Sequence, residues 1–217
     1  MARLEESSSQ AAASRLTARG AKTRSRIIAA AADLMHVQGV GGTTLDDVIA
    51  ASNVSKSQLY RHFEDKQALV RAVIELVGDR TIAVERRRLS KVTTLVELTG
   101  WRDGLVENNA LRKGRYGCPL GSLVIEVADH DAIARKKLQD LFSVWQELFE
   151  DLLRRFQKAG VIPPEADISQ LAMGLIAAVQ GGYLLTQAFR DVAPMAASID
   201  LALAYLRHLG GTPVAAS

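Results

Sequence analysis

The sequence has little of several features that mark specialised classes of protein. Cys118 is the single cysteine among 217 residues, which excludes an intramolecular disulfide and a multi-cysteine zinc site and fits a reducing cytosol. No stretch approaches the roughly 18 to 20 consecutive apolar residues that a membrane span needs. The polar first ten residues do not resemble the core of a signal peptide. We therefore expect a cytoplasmic protein without a membrane segment.

An excess of charge of one sign is also missing. The chain has 27 Lys and Arg residues against 24 Asp and Glu residues, which gives a formal charge of +3. This balance permits a nucleic-acid partner but does not indicate one by itself. The cations are unevenly placed, because residues 15–26 contain five of them and no acid. An arm with this local charge is suited to following a DNA backbone.

The alternating pattern of a half-buried strand is nearly absent, and apolar residues recur instead at helical spacing. Short breakers divide these helical blocks, which are short at first and long later. The sequence therefore predicts an all-α fold, with a three-helix helix-turn-helix head followed by a larger helical bundle. The expected helices cover residues 22–38, 45–51, 56–62, 65–88, 92–109, 119–127, 131–159, 168–189 and 195–209.

Residues 43–63 have the pattern of a helix-turn-helix motif. Two short segments, with capping signals at Thr44 and Ser55, flank a turn of about four residues. Long hydrogen-bond donors near the start of the second helix can reach base edges, while hydroxyl groups and cations contact phosphates. The residues that this second helix exposes are Lys56, Ser57, Gln58, Tyr60, Arg61 and His62.

Residues 39–66, which end in Leu59-Tyr60-Arg61-His62-Phe63-Glu64-Asp65-Lys66, closely resemble the DNA-binding head of TetR-family transcriptional regulators. The similarity extends over about residues 22–77. Further on, Gly117-Cys118-Pro119-Leu120-Gly121 is similar to the start of the regulatory domain in some members, including regulators of drug-efflux and detoxification genes. The resemblance implies a repressor that a small molecule releases from a palindromic operator in double-stranded DNA.

The resemblance also implies a DNA-contacting role for individual positions. The start of the first motif helix and Lys66, at the start of the fourth predicted helix, would bind phosphates. The front of the second motif helix would face the major groove, and Tyr60, Arg61 or His62 would contact the DNA backbone. Ser57 stands where many members have glycine, so the base preference does not follow. The positions carried over are Thr43, Thr44, Ser55, Lys56, Ser57, Gln58, Tyr60, Arg61, His62 and Lys66.

The family resemblance further implies a homodimer, packed through the last two long helices. Gly181-Gly182 would allow two backbones to approach closely, and two heads would read half-sites about 34 Å apart. The expected interface residues are Val179, Gly182, Tyr183, Thr186 and Phe189. The resulting domains are an arm at 1–20, the DNA-binding domain at 21–66, the ligand-binding and dimerisation domain at 67–210, and a tail at 211–217.

Aromatic residues of the larger domain have two interpretations, as ordinary core or as the lining of a pocket for an apolar or aromatic effector. The candidates for the pocket are Trp101, Tyr116, Cys118, Phe142, Trp145 and Phe149. Cys118 is either a small buried apolar residue or, if exposed beside Arg115, a reactive thiolate sensor. Its burial in the structure distinguishes the two.

Two other classes of function stay open. An architectural DNA-binding dimer would use the larger domain only for dimerisation and would need no ligand. A small helical enzyme lacks support, because the sequence shows no nucleophile–base spacing, set of metal ligands or phosphate-binding loop. We therefore expect no catalytic residue, no cofactor and no metal.

Overall fold

The computed structural model describes residues 18–211, so most of the expected arm and all but one residue of the expected tail lie outside the described residues. Within the described range every regular element is an α-helix, which confirms the all-α fold. The helices are α1 (Ala18–Gly42), α2 (Leu45–Ser52), α3 (Lys56–His62), α4 (Lys66–Leu89), α5 (Leu95–Leu111), α6 (Pro119–Val127), α7 (Ala132–Lys158), α8 (Ile168–Phe189) and α9 (Ala193–Leu209).

Helices α1 to α3 form the head. Helices α2 and α3 have eight and seven residues, too few for an isolated helix to be stable in water. Capping boxes fix the start of both. The Thr44 hydroxyl accepts a hydrogen bond from the Asp47 N–H at 3.1 Å, and the Ser55 hydroxyl accepts one from the Gln58 N–H at 3.2 Å. Both predicted caps are confirmed.

Helix α4 joins the head to the larger bundle, which we call the body (α5 to α9). It packs beside α1 in the head and beside α6 and α7 in the body. The Arg71 Nε donates to an Asp131 carboxylate oxygen at 2.8 Å, and this hydrogen bond lowers the pKa of Asp131. Lys137 pairs with Glu75. These ion pairs attach α4 to the start of α7.

The core of the body is built around α7. Its residues Phe149, Leu152, Leu153 and Phe156 are fully buried, as the predicted 3–4 spacing requires. The ring of Trp101 meets Phe149 edge-on, with 5.4 Å between the ring centroids. The Trp101 indole N–H donates to the Glu85 carboxylate at 2.9 Å, so that this buried acid is satisfied.

Helices α8 and α9 pack against each other within one chain, and this contact corrects the predicted dimer interface. Val179 and Thr186 are fully buried, and a Cβ atom on Gly182 would lie 2.9 Å from the Met195 Cα. The predicted interface role of Val179, Gly182 and Thr186 is therefore wrong, since all three face the chain's own interior. Tyr183 is also largely buried, which raises its pKa to about 12. Of the five predicted residues, Phe189 alone is well exposed, at 69%.

Other positions of α8 and α9 carry exposed apolar side chains. We call this set the apolar stripe, and it consists of Met173, Leu185, Leu201 and Tyr205. Among residues 18–211, α8 is the one helix long and apolar enough to cross a bilayer by length and composition. Core helices of soluble proteins meet that criterion as well.

Candidate DNA interface and ligand cavities

One side of α3 is anchored in the head and the other faces solvent. Leu59 is fully buried and Phe63, directly after the helix, is nearly so. Tyr60 is 47% exposed, and exposed Arg61 follows it in the same helix. The exposed side chains are Ser55, Lys56, Ser57, Gln58, Tyr60 and Arg61, with His62 half-buried. Six of the sequence-predicted contact residues are thus exposed on α3 or at its cap.

The capping box limits which atoms of Gln58 are free. Its Oε1 accepts from the Ser55 N–H at 2.8 Å, which leaves the amide NH₂ group to donate outward. The Ser55 and Ser57 hydroxyl groups lie 3.0 Å apart. Gln58 is therefore oriented before any DNA is bound, because its acceptor oxygen is held by the helix start.

The expected phosphate contact of Thr43 is wrong for its side chain. Thr43 is fully buried, and its hydroxyl donates to the Gly39 carbonyl at 2.8 Å. Thr44 is exposed but donates to the Asp47 carboxylate at 2.6 Å, within the cap of α2. Lys66 is half-buried as the first residue of α4. At the start of α2, Thr44 is thus the exposed threonine of the pair, although its hydroxyl is engaged in the cap.

Two arginines of α1 hold the motif in place, a role that sequence reasoning missed. The Arg24 guanidinium lies over the ring of Phe63, 5.3 Å from its centroid. Arg26 donates to the carbonyl of Asn53 at 3.4 Å. Asn53 is the left-handed residue of the turn between α2 and α3, with φ 51°. Both arginines thus contact residues of the motif. The high density of cations in residues 15–26 did not by itself indicate these contacts.

The body contains an apolar cavity of about 450 Å³ between α6, α7 and α8. Leu138, Phe142, Val124 and Leu184 supply much of its wall. A few polar groups, including Arg135 and Gln180, stand among them. A mostly apolar lining with few polar groups is typical of small-molecule sites.

The predicted ligand-binding residues divide between this cavity and the core. Cys118 and Phe142 line the apolar cavity. Trp101, Trp145 and Phe149 are buried and line neither this cavity nor the second one described below, which agrees with the alternative interpretation of these residues as ordinary core. Tyr116 packs on His36, with 5.0 Å between the ring centroids, and is likewise absent from both walls.

A second cavity, the head–body cleft, has about 430 Å³ and lies between α1, α4, α5 and α6. Its wall mixes apolar residues with charged ones, among them Arg80, Glu85, Arg112 and Glu126. Tyr183 and Ser122 border both cavities. The short helix α6 therefore separates the apolar cavity from the cleft beside the head.

Cys118 is buried, so the sensor interpretation loses its premise. Its sulfur caps α6, accepting from the Gly121 N–H at 3.4 Å and from the Gln180 amide at 3.6 Å. Burial raises the pKa of the Cys118 thiol above its ordinary value, which disfavours the reactive thiolate.

This architecture is that of a helix-turn-helix transcriptional regulator, and comparison with known proteins agrees with it. A profile described as bacterial regulatory proteins, tetR family, matches residues 27–73. A second, described as tetracyclin repressor-like, C-terminal domain, matches residues 98–201. The two profiles cover most of the head and the body. The chain belongs to the TetR family of transcriptional regulators, whose members are typically repressors.

Individual relatives span most of the chain. An uncharacterized HTH-type transcriptional regulator in the lacX 3' region of Lactococcus lactis subsp. lactis is 28% identical over 188 residues, covering 82% of this chain and 90% of that protein. The repressor DhaR of Mycobacterium sp. (strain GP1) is 25% identical, covering 73% and 79%. A TetR transcriptional regulator from Chloroflexus aurantiacus J-10-FL has a similar structure, with a TM-score of 0.75 and 26% identity, covering 88% of this chain and 96% of that one.

The buried, raised-pKa thiol predicts slow reaction of Cys118 with iodoacetamide. At pH 7.5 we expect alkylation of the folded protein to be at least about a hundredfold slower than of the same chain in urea, because the thiolate is both rare and shielded. The folded-state rate should keep rising through pH 9. Mass spectrometry of the alkylated fraction measures it, and equal rates in the folded and unfolded chain would contradict this assignment.

Proposed function

We propose that this protein is a ligand-responsive repressor that binds a palindromic operator as a homodimer and leaves it when an apolar small molecule occupies the body. One observation supports this most directly. The chain combines an exposed, hydrogen-bonding face on a firmly capped α3 with an apolar cavity that only the short helix α6 separates from the cleft beside the head. An architectural DNA-binding dimer would need the first feature and not the second.

In the DNA complex, α3 enters the major groove. The outward amide of Gln58, with Lys56 and Ser57, faces base edges at the front of the helix. Tyr60 and Arg61 contact the phosphate backbone on one flank, and Thr44 and Lys66 contact it on the other. His62 lies at the half-buried end of α3. The hydrogen bonds and cation–π contact of α1 hold this surface in a fixed orientation, which lowers the ordering cost on binding.

In the proposed dimer, the apolar stripe of α8 and α9 is the contact surface. Leu201 and Leu185 are exposed by 75% and 46%, whereas soluble monomers rarely expose large contiguous apolar patches. Isologous pairing of this stripe with a second copy buries both faces together. Phe189, at the end of α8, is also exposed and is available to the same contact.

The effector binds in the apolar cavity. The aromatic ring of Phe142 and the aliphatic wall of Leu138 and Val124 favour an apolar or aromatic compound, and Arg135 or Gln180 can hold one polar group of it. The cavity volume of about 450 Å³ is adequate for a compound of drug-like size. Binding releases the operator only if the DNA-bound and free conformations take up the effector unequally.

Substitutions on the head should weaken operator binding without unfolding the protein. Tyr60→Ala and Lys66→Ala each remove a proposed backbone contact, so we expect at least about a tenfold loss of affinity. Lys66→Ala should also reduce the slope of log affinity against log salt by about 1. Fluorescence anisotropy with an operator duplex selected from random DNA measures both quantities, and circular dichroism checks the fold.

Lys91→Ala is the control, because this exposed cation lies beyond α4 at the far end from the motif. It should bind the operator like the parent. If Tyr60→Ala and Lys66→Ala bind as tightly as the parent at equal salt, the assigned DNA interface is incorrect. If the parent prefers its selected duplex over random DNA by much less than about 10³-fold, the architectural function gains support.

A charge placed in the apolar stripe should dissociate the dimer. Leu201→Glu puts a carboxylate into the proposed contact, where desolvation opposes its burial. Val96→Glu is the matched control, because Val96 is 80% exposed on α5, outside the stripe. In analytical ultracentrifugation the parent and the control should sediment at twice the 23.5 kDa chain mass, and Leu201→Glu at the chain mass. An unchanged Leu201→Glu dimer would exclude this surface.

Effector binding should raise the melting temperature of the parent and not that of a variant with a filled apolar cavity. A compound at a hundred times its dissociation constant stabilises the native state by about 2.7 kcal/mol, which corresponds to several degrees. Ala128→Trp fills the apolar cavity, and Thr81→Trp fills the head–body cleft.

In a thermal-shift screen of small aromatic compounds, hits should stabilise the parent and Thr81→Trp but not Ala128→Trp. Loss of stabilisation in Thr81→Trp alone would move the effector site to the cleft. A screen in which all three proteins respond alike would count against either site.

A further inference from the structure

We propose that Glu126 of α6 couples the apolar cavity to the DNA-binding head, acting as a positioning residue. The inference rests on the proposed function. It assigns the regulation to one carboxylate that holds the loop before the helix-turn-helix motif. Neither Glu126 nor its partners stood out in the sequence, because the contact joins residues 86 positions apart.

The contact exists because the backbone of α1 breaks at Gly39. With φ 79° and ψ 166°, Gly39 interrupts the helical geometry, so the turn at residues 40–42 begins with backbone N–H groups that lack helical acceptors. One Glu126 carboxylate oxygen accepts from the Val40 N–H at 2.6 Å and from the Gly41 N–H at 3.1 Å. These charge-assisted hydrogen bonds are stronger than neutral ones. We call this pair of hydrogen bonds the Glu126 latch.

Gly39 is needed for the latch in two ways. Its positive φ disfavours any residue with a side chain. A Cβ atom at this position would also lie 2.9 Å from the Glu126 Oε2, closer than ordinary contact allows. The glycine therefore brings the carboxylate of the body directly against the backbone of the head.

The latch acts on the motif through a short segment of chain. Gly41 is followed, two residues on, by buried Thr43, whose hydroxyl donates to Gly39 and so ties this loop together. Thr44 then caps α2. The Thr43 N–H also donates to the Val40 carbonyl at 3.3 Å, so a displacement of the Glu126 carboxylate is passed to the first helix of the motif through a hydrogen-bonded loop.

Helix α6, which carries Glu126, lies against both cavities. Val124 and Ile125 of α6, with Ala128 just after it, line the apolar cavity, while Leu123 and Glu126 of the same helix line the head–body cleft. Helix α4, by contrast, is attached to α7 by the Arg71–Asp131 and Lys137–Glu75 ion pairs. A ligand that moves α6 away from α7 therefore changes the position of Glu126 relative to α4, and with it the position of the head.

Hydrogen exchange tests the latch itself without any ligand or DNA. In Glu126→Ala, the Val40 and Gly41 amides lose their acceptor, and we expect the exchange of a peptide covering residues 37–44 to accelerate at least tenfold. Asp129→Asn removes an equal charge three residues further on and should leave exchange unchanged. Unchanged exchange in Glu126→Ala would overturn the proposal.

A double-mutant cycle tests the coupling, with Ala128→Trp serving as a built-in substitute for the effector. Operator affinity is measured by anisotropy for the parent, Ala128→Trp, Glu126→Ala and the double variant, each checked for fold by thermal unfolding. We expect Ala128→Trp to weaken binding at least fivefold in the parent and no more than twofold in the Glu126→Ala background. Glu126→Gln keeps an acceptor oxygen without the charge and should give an intermediate response.

Equal loss in both backgrounds would overturn the role of Glu126, and so would an Ala128→Trp variant that binds like the parent. Gln139→Trp fills the same cavity from α7 and replaces Ala128→Trp if that variant does not fold. A parent without specific DNA binding would refute the proposed function instead, and the exchange measurement would still decide whether the latch exists.

Discussion

Helix α3 has seven residues, and a helix of that length does not persist in water because nucleation costs more than so few hydrogen bonds return. Its shape must come from its surroundings. The capping box at Ser55 supplies the start, buried Leu59 and Phe63 supply the anchor, and Arg24 stacks over the Phe63 ring. The surface proposed to meet DNA is therefore defined by contacts behind it. Any change in those contacts therefore reorients all the hydrogen-bond donors on the exposed side of α3 together.

The contacts behind the motif lead into the body by two separate routes. One is covalent, through α4, whose ion pairs with α7 make it part of the body. The other is the Glu126 latch, which reaches the head from α6 through two hydrogen bonds. Since α6 also borders the apolar cavity, the second route can change while the first stays fixed. The orientation of the head relative to the body therefore depends on the position of the Glu126 latch relative to α4.

Much of this architecture follows from local sequence. Caps at Thr44 and Ser55, the break at Gly39 and the apolar spacing of α7 depend on residues a few positions apart, and all were predictable. Contacts between residues far apart in the sequence were not predictable. Thr43 has the same side chain as Thr44, and only the folded loop shows which hydroxyl turns inward. The Glu126 latch joins segments that no periodicity relates, and Trp101 finds its partner in Glu85 from another helix.

Helix α8 shows why the dimer interface was predicted on the wrong residues and why its exposed apolar side chains call for a partner surface. It is apolar nearly all round, so helical spacing could not decide which face meets α9 and which meets solvent. The close approach of Gly182 to Met195 decides it, and this leaves Leu185 exposed, as Leu201 and Tyr205 are on α9. Within the chain these side chains stay in water. A bilayer would cover them only if α8, with its buried Val179 and Thr186, left the helices α7 and α9 against which it packs. In the proposed dimer, a second copy of the stripe covers them without disturbing those contacts, and the two-fold axis relates the second head to the first.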